Sequence, residues 1–194
     1  MDNKIWEIKE KEKICCFDID GVLMNCYPNC WVDFINLKLK KSYADLNIAK
    51  KTVSYDIYRE LKEQYRTSGI KEELPCDLYA GIVTKELKEQ GWTIVIMTAR
   101  PAEKYPTLAK QTYNWLSKNK NSYDYVIFGE KNKHVKILEN FPNLKFAVED
   151  NSYIANKIAR TGVKVFLLEN CYNKDASITD GVKRINSLME ILDG

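Results

Sequence analysis

The chain has 194 residues, of which 45% are hydrophobic and 29% are charged, and these proportions are ordinary for a globular protein. Its net charge of +3 comes from 30 basic and 27 acidic residues, which gives no strong case for a surface that coats nucleic acid. The longest apolar runs have the length of strands, which argues against a membrane span and a membrane partner. We expect one α/β domain with an insertion, or two small domains.

The cysteines bear on the redox compartment. Cys26 and Cys30 have a C-x3-C spacing, but no second pair of cysteine or histidine residues completes a zinc site. The first four residues lack the apolar core of a signal peptide. We therefore expect free thiols and a cytoplasmic location.

The first predicted elements are a charged arm and a buried strand. Residues 4–12 alternate charged and apolar side chains, which favours an edge strand or a surface arm. An apolar run over about 13–18 has the length of a fully buried strand. It ends in Asp18 and Asp20, and Gly21 then lets the backbone leave the strand. Side chains two positions apart in a strand point the same way, so we expect both carboxylates in one crevice, where they need a cation or a shared proton.

The segment 25–76 changes to a helical pattern. Asn29 is a candidate N-cap for a first helix, and Thr52 is a candidate N-cap for a second one. Apolar residues recur along one face of each predicted helix: Trp31, Phe34, Ile35 and Leu39 in the first, and Val53, Ile57, Leu61 and Tyr65 in the second. The segment therefore looks like a small helical insertion.

The rest of the chain alternates helices and strands. Strands are predicted over about 93–98, 125–128, 145–148 and 163–168. Helices are predicted over about 78–90, 133–140, 153–161 and 180–192, with a further one that ends near 119. This alternation predicts an α/β fold with a parallel sheet that is covered on both faces.

Polar residues follow the predicted strands, at the sheet edge where ligands bind in such folds. They are Asp18 and Asp20, then Thr98-Ala99-Arg100, then Lys131 and Lys133, then Glu149-Asp150. Acids, a hydroxyl and cations suit phosphoryl transfer, which depends on positioning and on charge stabilisation. Each part alone has a simpler explanation as a loop residue, a solvated lysine or a helix cap, but the joint pattern favours a Mg²⁺ site.

The chain resembles the haloacid dehalogenase-like phosphatase superfamily in the order of its motifs. These are Asp18-Ile-Asp20-Gly-Val-Leu, then Thr98-Ala-Arg100, then a lysine, then Val-Glu149-Asp150. The resemblance implies a three-layer Rossmann-like fold with a mainly parallel central sheet. It also implies that Asp18 is the nucleophile. Asp20 is then the general acid and base, and its backbone carbonyl binds Mg²⁺.

The same resemblance assigns the remaining site residues. Thr98 supplies the phosphate-binding hydroxyl, with Ala99 and Arg100 beside it. Lys133 is the family lysine, and Lys131 and Lys136 remain alternatives. Asp150 is a metal ligand, together with Asp18. Glu149 stands where the family often has a second aspartate, and its contact with the metal is left open.

The resemblance also divides the chain into a catalytic core, over 1–24 and 77–194, and a cap over 25–76. The pattern is similar to 5′(3′)-deoxyribonucleotidases and to the phosphatase domains of polynucleotide kinase-phosphatases. The cap is rich in aromatic residues, which can stack on a nucleobase. Trp31, Phe34 and Tyr65 lie on apolar faces and are expected in the cap core, whereas Tyr55 and Tyr58 lie off the second helix's face and are the predicted substrate contacts.

The sequence and its resemblance together predict a Mg²⁺-dependent phosphomonoesterase. The expected partner is a small nucleoside or deoxynucleoside monophosphate. Two alternatives remain, namely a polynucleotide 3′-phosphatase that acts on a nucleic-acid end, and a non-catalytic protein that keeps the fold to bind a nucleotide. The oligomeric state is not predicted.

Overall fold

A computed structural model describes residues 11–193, and the predicted N-terminal arm lies almost wholly outside them. Six strands form one sheet in which every neighbouring pair is parallel. The strands are β1 (Ile14–Phe17), β2 (Thr93–Met97), β3 (Tyr125–Ile127), β4 (Leu144–Glu149), β5 (Lys164–Leu168) and β6 (Val182–Ile185). Their order is β3-β2-β1-β4-β5-β6. The predicted α/β class and parallel sheet are confirmed.

Helices connect the strands. They are α1 (Asn29–Leu39), α2 (Leu46–Thr52), α3 (Tyr55–Thr67), α4 (Ile70–Glu73), α5 (Ala80–Glu89), α6 (Pro106–Lys118), α7 (Lys133–Asn140) and α8 (Ser152–Ala159), followed by a 3₁₀ helix (Leu188–Ile191). None of the helices within residues 11–193 is long and apolar enough to cross a membrane.

The central strand β1 is buried on both of its faces. Cys15 and Phe17 pack into one apolar cluster, whereas Ile14 and Cys16 pack into another on the opposite side of the sheet. Successive side chains of a strand point to opposite faces, so a strand covered on both faces must be apolar throughout. Because β1 lies between β2 and β4, its carboxyl end lies near the middle of the sheet edge.

The helices α1–α4 occupy the segment predicted as the cap and share a third apolar cluster, which includes Trp31, Phe34, Leu61 and Tyr65. The predicted start of a helix at Thr52 is wrong, because α2 ends there and α3 begins at Tyr55. Val53 between them is extended, which breaks the helical backbone. The division into core and cap stays a prediction, and the separate apolar cluster supports it.

The predicted helix over 180–192 is also wrong. Val182–Ile185 is a strand that pairs with Val165–Leu168, and only a short 3₁₀ helix follows it. Apolar residues at every third position, namely Val182, Ile185, Leu188 and Ile191, suit a helix as well as this arrangement. The exposed edge of β5 supplies backbone partners for a strand, and that tertiary pairing overrides the local pattern.

Candidate active site

Three acids meet where β1 and β4 end. These strands are neighbours in the sheet, and the Asp18 N–H donates to the Val148 carbonyl at 3.1 Å. Asp18 therefore lies beside Glu149 and Asp150, and one carboxylate oxygen from each lies within 4.8 Å of the others. The parallel pairing of two strands, rather than any local feature, creates this cluster.

The electrostatics of the three acids call for a cation. Burial raises the pKa of Asp150 well above its usual value, and the nearby charges of Asp18 and Glu149 raise it further. Burial also raises the pKa of Glu149, although Lys133 opposes this. Glu149 Oε2 is buried and has no hydrogen-bond partner among residues 11–193. Since a buried carboxylate oxygen without a partner is costly, the residues present fit a metal ion.

The backbone at Gly21 makes room for Asp150. Gly21 has a φ of 97°, which favours glycine, and a Cβ at this position would overlap the Asp150 carboxylate and the Tyr172 hydroxyl. The Tyr172 hydroxyl donates to Asp150 Oδ2, and the Asn173 side chain donates to the Asp150 carbonyl at 2.7 Å. Asp150 is thus held from two sides.

Lys133 contacts two of the three acids, Asp18 and Glu149, and orients Asp18. Its Nζ is 3.0 Å from Asp18 Oδ1 and 2.6 Å from Glu149 Oε1, and opposite charges on Asp18 and Glu149 raise its pKa despite burial. Asp18 Oδ1 also accepts the Ile19 N–H at 2.7 Å. No described residue donates a hydrogen bond to Asp18 Oδ2. One oxygen of Asp18 is therefore fixed and the other is available.

The structure separates the three candidate lysines. Lys133 is 1% exposed at the start of α7, whereas Lys131 lies exposed in the preceding loop and Lys136 is half-buried on the helix. Among the three, only Lys133 forms an ion pair with an acid of the described chain. The structure also shows which residue caps the N-terminus of α8. The Asn151 side chain accepts the Tyr153 and Ile154 N–H groups, so Glu149 and Asp150 are not the capping residues.

The segment after β2 is held in place by its backbone. Thr98 is buried, its N–H donates to the Ile127 carbonyl, and its carbonyl accepts the Glu130 N–H. The Thr98 hydroxyl accepts the Arg100 N–H at 3.3 Å and can still donate its own proton. Ala99, between Thr98 and Arg100, is exposed.

Asp20 meets cations instead of the other acids. Arg100 makes two hydrogen bonds to its carboxylate, of 2.9 and 2.8 Å, and Lys71 from α4 makes a third of 2.7 Å. Although burial opposes ionisation, Arg100 and Lys71 hold the pKa of Asp20 well below its usual value. The Asp20 carboxylate is not part of the cluster formed by Asp18, Glu149 and Asp150, and its place in one crevice with Asp18 stays a prediction. A metal contact through its backbone carbonyl stays a prediction.

A cavity of about 200 Å³ lies between Asp20 and the predicted cap. Its lining comes from both parts of the chain: Asp20, Tyr27, Trp31, Lys62, Tyr65, Arg66, Lys71, Ala99, Arg100, Pro101 and Leu108. A larger hollow of about 580 Å³ lies at the amino end of β2, near Trp92 and Asp124, and contains no residue of the acid cluster. The smaller cavity is thus the one that adjoins the predicted chemistry.

The cavity uses different aromatic residues from those predicted. Tyr55 is 76% exposed and is not part of the lining. Tyr58 is not part of it either, because its ring packs on Trp31 and its hydroxyl accepts the Trp31 Nε1–H at 2.9 Å. Trp31 and Tyr65, which were expected in the cap core, lie in that core and also line the cavity. The choice of Tyr55 and Tyr58 as substrate contacts is not supported.

Sequence reasoning missed Lys71, Tyr172 and Asn173. The residues after β5 could have been found, since Tyr172 and Asn173 follow a fifth parallel strand at the same sheet edge. Lys71 gives no such signal, because it is one lysine of many in a helical segment. Its contact with Asp20 joins positions 51 residues apart.

Comparisons with known proteins agree with this architecture. No family model matches the chain. A nucleotidase of Clostridium acetobutylicum is 26% identical over 165 residues, which cover 82% of this chain and 81% of that protein.

Three solved structures share the fold. A haloacid dehalogenase-like family protein of Streptococcus pneumoniae has a TM-score of 0.64 and 14% identity, over 93% of this chain and 97% of that one. The CbbY protein of Rhodobacter sphaeroides in complex with xylulose-1,5-bisphosphate has a TM-score of 0.58 and 15% identity, over 93% and 96%. A D,D-heptose 1,7-bisphosphate phosphatase of B. bronchiseptica with magnesium and phosphate has a TM-score of 0.54 and 12% identity, over 93% and 98%.

The sheet and its acidic edge define an α/β protein of the Rossmann-like class. Within that class, the chain has the haloacid dehalogenase-like fold, and the resemblance predicted from its motifs is confirmed at the level of the fold.

Proposed function

We propose that this protein is a Mg²⁺-dependent phosphomonoesterase that forms a phosphorylated intermediate on Asp18. The observation that carries the proposal is the orientation of Asp18. Lys133 and the Ile19 N–H fix Oδ1, and Oδ2 is left without a hydrogen bond from the described residues. A carboxylate held in this way can attack phosphorus and divide hydrolysis into two easier steps.

In the first step, Asp18 Oδ2 forms a bond to phosphorus and the bond to the leaving oxygen breaks. Thr98 would donate its hydroxyl proton to a phosphoryl oxygen, and Lys133 would balance the charge of Asp18. The residues that would hold the metal are Asp18, Asp150 and Glu149, with the Asp20 carbonyl. When bound, Mg²⁺ would neutralise negative charge on the phosphoryl oxygens and on the acids.

In the second step, water attacks the phosphorus atom, the bond between phosphorus and Asp18 Oδ2 breaks, and inorganic phosphate leaves. The attacking water needs a base to accept its proton. Asp20 is the candidate for this role: Arg100 and Lys71 keep it ionised, but because they lower its pKa they also weaken it as a base, so these contacts must loosen before it can take a proton. To protonate the leaving oxygen in the first step, the same carboxyl must first take up a proton, which requires these contacts to loosen. General acid–base catalysis by such a group contributes about 10²- to 10⁴-fold.

We further propose that the substrate is a nucleoside or deoxynucleoside monophosphate. Tyr27, Trp31 and Tyr65 line the cavity beside Asp20 and give rings on which a base can stack. The similar Clostridium protein carries the name nucleotidase. At about 200 Å³, the cavity is smaller than the usual pocket of about 300–1,000 Å³, which favours a small leaving group over a polynucleotide end.

The test is phosphate release from a substrate panel by the purified protein. The panel contains 5′- and 3′-nucleoside monophosphates, a 3′-phosphorylated oligonucleotide and hexose phosphates, each assayed with Mg²⁺ and with EDTA. We expect Mg²⁺-dependent turnover that is fastest on a nucleotide. Preference for the oligonucleotide would favour the polynucleotide 3′-phosphatase. Nucleotide binding without turnover of any ester would favour the non-catalytic alternative.

A further inference from the structure

The cavity beside Asp20 carries an excess of positive charge. Four basic side chains line it, namely Lys62, Arg66, Lys71 and Arg100, and Asp20 is the one acid in its described lining. Four positive charges against one negative charge leave a net charge of +3. The chain as a whole has the same net charge over 194 residues, so the positive charge is concentrated at this cavity.

Two of the four cations have no acidic partner. Lys71 and Arg100 share Asp20, whereas Lys62 and Arg66 form no ion pair with any carboxylate of residues 11–193. They face aromatic rings instead: Lys62 lies 5.9 Å from the Tyr58 ring centre and Arg66 lies 5.7 Å from that of Tyr105. Their positive charges are therefore available to a ligand.

The arrangement has a cost in the free protein. Lys62 and Arg66 are four positions apart on α3, and like charges at this spacing destabilise a helix. Burial lowers the pKa of Lys62, and the charges of Arg66 and Lys50 lower it further. The acid between them in sequence does not relieve this, because Glu63 pairs with Lys104 and Tyr105 outside the cavity. An anion between Lys62 and Arg66 would remove the repulsion.

We propose that Lys62 and Arg66 bind a second phosphate group, carried by the leaving part of the substrate. This inference rests on the proposed function, since Asp20, its proposed acid and base, lines the same cavity as this pair. The guanidinium of arginine matches phosphate oxygens with two parallel hydrogen bonds, and lysine adds a point charge. Among the nucleotides of the proposed function, those that carry a second phosphate on the leaving part, such as nucleoside bisphosphates, are then better substrates than the corresponding monophosphates.

Steady-state kinetics on matched substrate pairs test this inference. Adenosine 3′,5′-bisphosphate is compared with the two adenosine monophosphates, and fructose 1,6-bisphosphate with the two fructose monophosphates. These arms separate a nucleotide source of the second phosphate from a sugar source. We expect a higher kcat/KM for a bisphosphate, and we expect Lys62→Gln or Arg66→Gln to lower that advantage about ten- to hundredfold, mainly through KM, as for lost hydrogen bonds to charged groups.

Arg59→Gln is the matched control. Arg59 lies on the same helix but does not line the cavity, and its substitution removes the same charge. We expect this variant to keep the wild-type ratio between bisphosphate and monophosphate. Equal losses on both substrates of a pair, or a loss in Arg59→Gln as large as in Arg66→Gln, would overturn the inference.

Binding distinguishes failure of this inference from failure of the proposed function. Calorimetry in EDTA measures the affinity of the wild type and the variants for adenosine 3′,5′-bisphosphate and fructose 1,6-bisphosphate without turnover. Binding that weakens in Lys62→Gln and Arg66→Gln supports the subsite even if no ester is hydrolysed, in which case the phosphatase proposal alone fails. If the protein hydrolyses esters but binds the bisphosphates equally well with and without Lys62 and Arg66, the proposed second phosphate site is wrong and the phosphatase proposal stands.

Discussion

The Lys133 ammonium lies 3.0 Å from the Asp18 carboxylate. Lys133 is 1% exposed and the Asp18 side chain 13% exposed, so water screens this pair little. The same ammonium reaches Glu149 at 2.6 Å. One buried cation thus stands against two carboxylates, and its removal should disturb both the fold and the proposed chemistry.

We predict that Lys133→Ala loses activity at least a hundredfold and is less stable. Removal of one partner from a buried ion pair costs about 3–5 kcal/mol, because the other charge stays buried. Lys131→Ala is the control, since exposed substitutions usually change stability by less than about 0.5 kcal/mol. Urea unfolding and phosphatase assays measure the two effects. A stable Lys133→Ala with an inactive Lys131→Ala would reassign the role.

We predict that Asp18→Asn folds but does not turn over. The amide has nearly the shape of the carboxylate and cannot act as the nucleophile, so the rate should fall by several orders of magnitude. The exposed Asp33 gives a control, and Asp33→Asn should keep wild-type activity. If Asp18→Asn retains a tenth of the wild-type rate, the covalent mechanism is wrong.

We predict that Mg²⁺ stabilises the protein as well as activating it. A ligand that binds only the folded state adds about 2.7 kcal/mol when its concentration is a hundred times its Kd. The midpoint temperature of thermal unfolding should therefore rise when Mg²⁺ is added and fall back to its metal-free value when EDTA removes the ion. Asp150→Asn should lose most of this shift. Full activity in excess EDTA, or the same Mg²⁺ shift in Asp150→Asn, would contradict the proposed metal site.

We predict that Tyr27 distinguishes a nucleotide from an ester without a base. Tyr27 lines the cavity, whereas Tyr55 is exposed outside it. Loss of stacking costs about 1–3 kcal/mol per base, so Tyr27→Leu should raise KM for a nucleoside monophosphate about five- to a hundredfold. Hydrolysis of p-nitrophenyl phosphate should change little, and Tyr55→Leu should change neither. An effect of Tyr55→Leu alone would restore the contact predicted from the sequence.

We predict that Cys30 reacts with iodoacetamide near neutral pH. A hydrogen bond from the Cys26 thiol lowers the pKa of Cys30, and a hydrogen bond from the Tyr65 hydroxyl lowers it further. Burial raises this pKa, and the net result is a value of about 7. Because the thiolate is the reactive form, the rate should rise as pH increases through about 7. Cys26→Ala should move this rise to higher pH. Peptide mass spectrometry locates the modified residue, and an unchanged profile in Cys26→Ala would exclude this cause.

The sequence by itself determined the class of fold and the acids at its centre. The run before Asp18 is apolar throughout because β1 is buried on both faces, so its burial is visible from local composition. Glu149 ends another strand that is buried except at Lys145, and Asp150 follows it. Parallel strands bring their carboxyl ends to one edge, so the sequence predicts that these acids share that edge, and the pairing of β1 with β4 brings them into contact range.

Local patterns failed where two structures suited the same spacing. Val182–Ile185 has apolar residues that fit a helix, and pairing with β5 makes it a strand. Tyr65 lies on the apolar face of α3, and it belongs both to the cap core and to the cavity lining. A periodic pattern identifies a buried face, but it does not say which surface covers that face.

Only the tertiary structure decided the partners of Asp20. Arg100 is 80 positions away and Lys71 is 51 positions away, and the chain holds 30 basic residues from which a partner could come. The packing of α4 against α6 brings Lys71 to Asp20, and the turn after β2 brings Arg100 there. An ion pair can form between residues at any separation along the chain. Which of many similar lysines becomes the partner of Asp20 therefore depends on which helix lies beside the site.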